Sequence, residues 1–387
     1  MNYVSEKGAS DLGAGIGNCK NLINLSITVF SKFKIGEEGA CGLGSGIGNC
    51  INLEKVFLYL CYNKIGDRGA AGLGVGIGRC KNLKILEINL QSNDIGAKGS
   101  FELGIQLKNC FNLHNLILNL SNNKIGARDN SFMLNQLSKC QILESLKLDN
   151  DFSNNAQLIN DSNSNQTISL CKEQMGFQKL KILNLRFYQC LGVVDIGQNN
   201  CTNLQNFELY LFYVQQENDV IRGLKSCSNL SSLSITLNSS TFTDDRINSF
   251  CQEILNCDKL NNLQLNLNQI GLTAQQVFNI SNSLRNLNNL RTLSLSLKGN
   301  KFGDQGVLSL FPLLECSSKI LSLSIFLNEN SINQQAALEL GIQLSKCQFK
   351  ILKLDVSGNT ILEGYYTLKR KLYKVLKLIK MSLLADY

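Results

Sequence analysis

Apolar residues recur along this chain in short alternating runs, each followed by the same polar phrase. Leu22, Leu25, Ile27 and Val29 form the first run. Leu53, Val56, Leu58 and Leu60 form the second, and Leu83, Leu86, Ile88 and Leu90 the third. Runs led by Leu113 and Leu143 follow at a spacing of about 30 residues. Alternation of this kind predicts a strand with one face buried. Asn with Ile-Gly or Phe-Gly then marks the turn out of it, at Asn63, Asn93, Asn123, Asn268 and Asn300. An Asn there can bond backbone groups of its own and neighbouring turns. Helix-like stretches come next, clearest at Phe101 to Cys110 (FELGIQLKNC) and Leu338 to Cys347 (LELGIQLSKC). The run led by Leu180 comes late and that led by Leu204 early, and five more follow from Leu230 to Phe349. Residues 1–361 therefore read as about twelve strand–helix units. Strand–helix–strand links of this type are parallel and right-handed. A single unit cannot bury its own apolar face, so neighbours must stack.

The phrase L-x-x-L-x-L-x-L-x-x-N-x-I-G-x-x-G, read from Leu83 to Gly99, resembles leucine-rich repeats of the ribonuclease-inhibitor-like subtype. The resemblance implies an α/β fold: a right-handed leucine-rich-repeat solenoid, or horseshoe, with a parallel concave sheet and outer helices. It also implies a protein-binding role. The interval from Leu83 to Asn93 departs from the usual spacing by two extra residues. That extension and the abundant Asn are similar to large repeat families of ciliates and other protists. Some members of those families are joined to kinase domains. No Gly-rich loop with a following strand Lys, no HRD and no DFG occurs here, and Asp151-Phe-Ser is not the last of these.

Charge changes this picture little. The net charge is +8, but the tail from Ile361 to Tyr387 holds six basic residues (Lys369, Arg370, Lys371, Lys374, Lys377, Lys380) against Glu363 and Asp386. No basic stripe runs through the repeats, so a nucleic-acid partner is not expected. Residues 362–387 read as a basic amphipathic helix, with Leu368, Leu372, Val375, Leu376, Ile379 and Leu383 on one face. An end cap for the array is the first reading of this tail. An acidic membrane surface or a calmodulin-like partner, bound through Lys369 to Lys380, is the second. The opening residues lack the charged-then-apolar pattern of a signal sequence, which points to the cytoplasm. The start in mid-repeat points to a truncated gene model or a larger parent protein.

Fifteen cysteines include one per repeat at a single phase: Cys19, Cys50, Cys80, Cys110, Cys140, Cys201, Cys227 and Cys257. Cys316 and Cys347 are one place out of register. Such a series reads as a ladder of small buried side chains. Stacked positions fall within disulfide reach, but a reducing cytosol disfavours bonding. A ladder spreads its thiols, so no metal site is expected. Glycines at Gly13 to Gly17, Gly42 to Gly48 and Gly72 to Gly78 share one phase and lack the spacing of a nucleotide loop. They are read as permitting close helix packing. His114 is the single histidine, at a strand-entry corner, so a histidine triad or histidine metal site is not available. No catalytic constellation and no cofactor site emerge.

Polar residues 150–175 interrupt the rhythm and read as an insertion loop. Beside it, alternation places Lys147, Asp149, Arg186, Glu208 and Tyr210 on the open sheet face, with Asp149, Arg186 and Tyr210 expected in one row. Tyr and Arg often dominate interface energetics, so this patch is a candidate partner site. Phe57 and Tyr59 are a second candidate. The chain reads as a monomeric, non-catalytic scaffold for a protein partner. The alternatives are a regulatory segment of a kinase-like signalling protein and a membrane-peripheral scaffold.

Overall fold

The computed structural model describes residues 4–29, 34–151, 168–170, 176–188, 193–197, 201–212, 219–238, 242–315, 319–361 and 380–384. It divides into two compact units, Met1–Leu204 and Gln205–Tyr387. Both are α/β repeat solenoids, in which parallel strands alternate with helices.

In the first unit the strands are β1 (Asn24–Thr28), β2 (Lys55–Tyr59), β3 (Ile85–Asn89), β4 (Asn115–Asn119), β5 (Ser145–Asp151), the short β6 (Ile168–Ser169), β7 (Ile182–Tyr188) and the short β8 (Val194–Asp195). β1, β2, β3, β4, β5 and β7 lie side by side in that order, and β6 pairs separately with β8. The register runs without slippage: Val56 lies beside Leu86, Leu86 beside Leu116, Leu116 beside Leu146 and Leu146 beside Leu183. All of these side chains are fully buried. A one-residue slip would put the whole set into solvent, so the alternation fixes the pairing.

The first helices are Glu6–Gly17, Gly36–Gly48 and Gly66–Ile77. A Cβ on Gly46 would lie 1.9 Å from the Gly13 carbonyl oxygen, and one on Gly76 would lie 1.7 Å from that of Gly44. Neighbouring helices thus touch backbone to backbone, as the shared glycine phase suggested. Acidic side chains reach across repeats to the next helix start: Asp67 Oδ1 accepts from Gly96 N at 2.6 Å and Gly99 N at 3.0 Å. Those N–H groups have no partner inside their own helix.

In the second unit β9 (Asn206–Phe212), β11 (Ser232–Asn238), β12 (Asn262–Asn268), β13 (Thr292–Ser296), β14 (Ser322–Phe326), β15 (Ile351–Asp355) and β16 (Lys380–Leu384) lie side by side, with β10 (Ile221–Arg222) apart. Its helices start on side-chain caps: Thr243, Thr273 and Asn333 accept from Arg246 N, Gln276 N and Ala336 N.

Turns out of the strands use buried Asn in both units. Asn93 Nδ2 donates to Leu60 O at 2.8 Å, while its Oδ1 accepts from Asn63 N at 2.8 Å. Asn123 does the same toward Leu90 O and Asn93 N. Asn300, Asn330 and Asn359 repeat the arrangement, each amide oxygen taking N–H groups of the preceding turn. Each amide satisfies backbone groups that would otherwise be buried without partners.

Two expectations are corrected. Asn268 does not belong to this ladder. It ends β12 and accepts from Ser296 Oγ at 2.7 Å and Lys298 N at 2.8 Å. Counted from the leading Leu260, Ile270 stands where Asn300 stands after Leu290, and the Ile270 N–H donates to Asn300 Oδ1. The expected C-terminal helix does not reach Leu384, because Lys380–Leu384 is a strand paired in parallel with β15. Its register sets Met381 beside Leu352 and Leu383 beside Leu354. Residues 362–379, with Lys369 and most of the expected helix, lie outside the described residues. So do most of 150–175 and Cys316.

Candidate protein-binding face

Alternation leaves every second strand residue on the face opposite the core. In the first unit these residues stand in two long rows. One reads Ser26, Phe57, Glu87, Ile117, Lys147, Asn184. The next reads Thr28, Tyr59, Asn89, Asn119, Asp149, Arg186. Most of these side chains are half-buried by their neighbours on the sheet.

Asp149 is the pivot of the charged end. Its carboxylate lies 3.5 Å from Lys147 Nζ and 3.8 Å from Arg186 Nε. The Asp149 side chain is 17% exposed, against 36% for Lys147 and 38% for Arg186. The two cations therefore cover the anion and present positive charge outward. The sequence placed all three residues on this face, but it did not show that Asp149 holds both cations. Exposed pairs of this kind contribute about 1 kcal/mol or less each, so their value lies in orientation.

Phe57 and Tyr59 form the aromatic end, on β2. Burial pushes the Tyr59 phenol up in pKa, and its hydrogen bond to the Glu87 carboxylate pushes it further. The O–H donates, so losing its proton breaks the bond and sets two anions side by side. Glu87 was not singled out from sequence, although it lies beside Phe57 in the register.

Between the two ends stand Asn89 and Asn119. Their Oδ1 atoms accept from Gln91 N at 3.1 Å and Ser121 N at 2.9 Å. That bond fixes each amide, and among the described residues neither Nδ2 has a hydrogen-bond partner. Ile85 and Ile117 flank them as half-buried apolar residues.

Glu208 and Tyr210 lie on β9, in the second unit, beside Ser234 and Thr236. The rows continue there through Gln264 and Asn266, a face of short polar residues. Several of these bond to one another, as Asn262 Nδ2 does to Ser232 Oγ at 3.0 Å. The five residues of the expected central patch are thus divided, three in the first unit and two in the second. His114 Nδ1 lies 2.7 Å from the Asn112 carbonyl oxygen, at a strand-entry corner. Among the described residues no His, Cys, Asp or Glu cluster is placed to hold a metal ion. No helix among them is long and apolar enough to cross a membrane.

The described cysteines carry free thiols. Cys80, Cys110 and Cys140 donate from Sγ to the carbonyl oxygens of Ile47, Ile77 and Leu107, at 3.5, 3.4 and 3.8 Å. Burial pushes Cys80 up to about 11, and Cys110 and Cys140 up to about 12. Their thiols stay protonated at neutral pH, as packing and donor groups.

No protein-family model matches the sequence. No curated protein matches it either. Among solved structures, the chain is similar to one described as "Crystal structure of Rad7 and Elc1 complex in yeast". The identity is 16% and the TM-score 0.42, over 99% of this chain and 85% of that one.

Proposed function

We propose that this protein is a non-catalytic interaction module that holds a protein partner on the open face of its first unit. The observation that carries the reading is the unbroken register from β1 to β7. It lines up aromatic, amide and cationic side chains on one surface. Phe57 and Tyr59 offer apolar area, Asn89 and Asn119 offer fixed donors, and Lys147 with Arg186 offers charge around Asp149. Few of these groups lose much freedom on binding, because neighbouring strands already hold them, and prior ordering lowers the cost of association. Glu208 and Tyr210 are proposed as a second contact set on β9. The ribonuclease-inhibitor-like subtype, the likeness to protist repeat families, the monomeric state and the cytoplasmic location belong to this proposal. The repeat phrase and the helix that follows each strand support the subtype.

The test is quantitative capture from native lysate. Wild-type protein is compared with Lys147→Ala/Arg186→Ala and with Ser234→Ala/Ser294→Ala, a control on the second unit. The expected result is a partner retained by wild type and control but reduced at least about tenfold by the first variant, a loss of ~1.4 kcal/mol. Equal capture by all three proteins would overturn the site.

A further inference from the structure

We propose that Cys19 and Cys50 form a peroxide-sensitive dithiol at the N-terminal end of the first unit. Cys19 is exposed, whereas Cys50, Cys80, Cys110 and Cys140 at the same phase are buried. The two thiols meet at one helix end. The Ile16 carbonyl oxygen accepts from the Cys19 backbone N–H at 2.8 Å and from Cys50 Sγ at 3.1 Å. The adjacent Gly15 carbonyl oxygen takes Cys19 Sγ at 3.8 Å. Cys50 Sγ therefore sits directly against the turn that carries Cys19. Lys20 stands at the same corner, with Nζ 3.5 Å from the Asn49 carbonyl oxygen; burial and the neighbouring Cys19 push the Cys50 thiol up, and the Lys20 charge offsets part of that rise.

The inner rungs share the stacking but not the access. Cys80 Sγ stands over the Ile47 carbonyl oxygen as Cys50 Sγ stands over Ile16. Both thiols of that pair are buried. Cys19 is thus the accessible thiol of the pair, and Cys50 the one packed against the turn that carries it.

Hydrogen peroxide is the oxidant class that fits an exposed thiol. The Cys19 sulfur attacks one peroxide oxygen, the O–O bond breaks, and the departing hydroxide takes the thiol proton as water. Cys19 is then a sulfenic acid. Cys50 loses its proton and attacks that sulfur. The S–S bond forms, the S–O bond breaks, and a second water leaves. Two thiols and one peroxide give one disulfide and two waters. The product staples the first repeat to the second.

The test treats the native protein with sub-millimolar peroxide, blocks remaining thiols with iodoacetamide and maps peptides by mass spectrometry without reductant. A Cys19–Cys50 linked peptide that dithiothreitol removes is expected. It should persist in Cys41→Ser and be absent from Cys19→Ser. In Cys50→Ser, Cys19 should stop at a sulfenic acid that dimedone traps. Thermolysin cleavage before residue 23 should slow by about tenfold on oxidation, because a closed loop restrains terminal fraying. Wild-type Cys19 that is over-oxidised without a link, or linked to Cys41, would overturn the proposal.

Discussion

The two units share one strand grammar and differ in how their helices are held. In the first unit, Gly46 and Gly76 press backbone on backbone against Gly13 and Gly44. In the second, the helices Asp244–Leu255, Ala274–Leu284 and Gln334–Ser345 bury side chains such as Phe250, Ile280 and Leu340, and begin on Thr or Asn caps. The first arrangement sacrifices intrinsic helix propensity for close contact. The second keeps propensity and spaces the helices by side chains. The strand lattice and the Asn ladder are alike in both, so the same strand pattern tolerates two kinds of helix packing.

The largest expected effect separates these layers. Gly46→Ala should destabilise the first unit by about 3 kcal/mol or more, because its Cβ meets backbone that cannot turn away. Gly15→Ala, where nothing lies within 4 Å, should instead stabilise by roughly 0.5–1 kcal/mol. Denaturant titration followed by amide exchange in each unit checks both. A similar response at Gly15 and Gly46 would remove the distinction.

Next comes the ladder common to both units. Asn93→Ala leaves the Asn63 and Ile65 N–H groups and the Leu60 carbonyl oxygen without their partner, at a cost of about 3 kcal/mol. Asn268→Ala should cost only about 1 kcal/mol, since its two bonds are less buried. Thr273→Ala, a helix cap of the second unit, should cost about 1 kcal/mol. The smallest effect is a gain. Lys64 and Glu329 adopt left-handed backbone at φ 53° and 56°. Gly at either place should stabilise by up to ~1 kcal/mol, measured as a shift in Tm.

Alkaline pH probes the cysteine ladder in both units. Cys110 and Cys140, and Cys227 and Cys257, are pushed up to about 12 by burial, from an ordinary value of 9.0. The folded state keeps these protons while the unfolded chain releases them. The contribution is therefore complete below pH 9 and declines as pH rises through the folded values. Replacing Cys110 and Cys140 with Ala should flatten the decline in the first unit alone. An unchanged pH profile would show that other groups carry it.

Much of this architecture is legible in sequence because it is periodic. Alternating Leu and Ile fixed the strands, the recurring Asn fixed the turns, and the common phase of glycine and cysteine fixed two interior ladders. What escaped depends on distances that no local pattern encodes. Asp67 caps a helix in the next repeat. Ile270 replaces Asn in one turn because that repeat's Asn comes two places early. Leu383 belongs to a strand, although its spacing from Ile379 also suits a helix. On the candidate face, alternation put Lys147, Asp149 and Arg186 on one side. It could not show that Asp149 binds both cations, nor that Tyr59 donates to Glu87.

The most direct test is hydroxyl-radical footprinting of the captured complex. The rings compared are Phe57 and Tyr59 on the first face, Phe326 on the second unit's face, and Phe132 and Phe278 on the helices. Partner binding should protect Phe57 and Tyr59 at least severalfold and leave Phe132, Phe278 and Phe326 unchanged. Protection of the helix rings, with Phe57 and Tyr59 still fully reactive, would place the partner on the other side of the repeats and contradict the account.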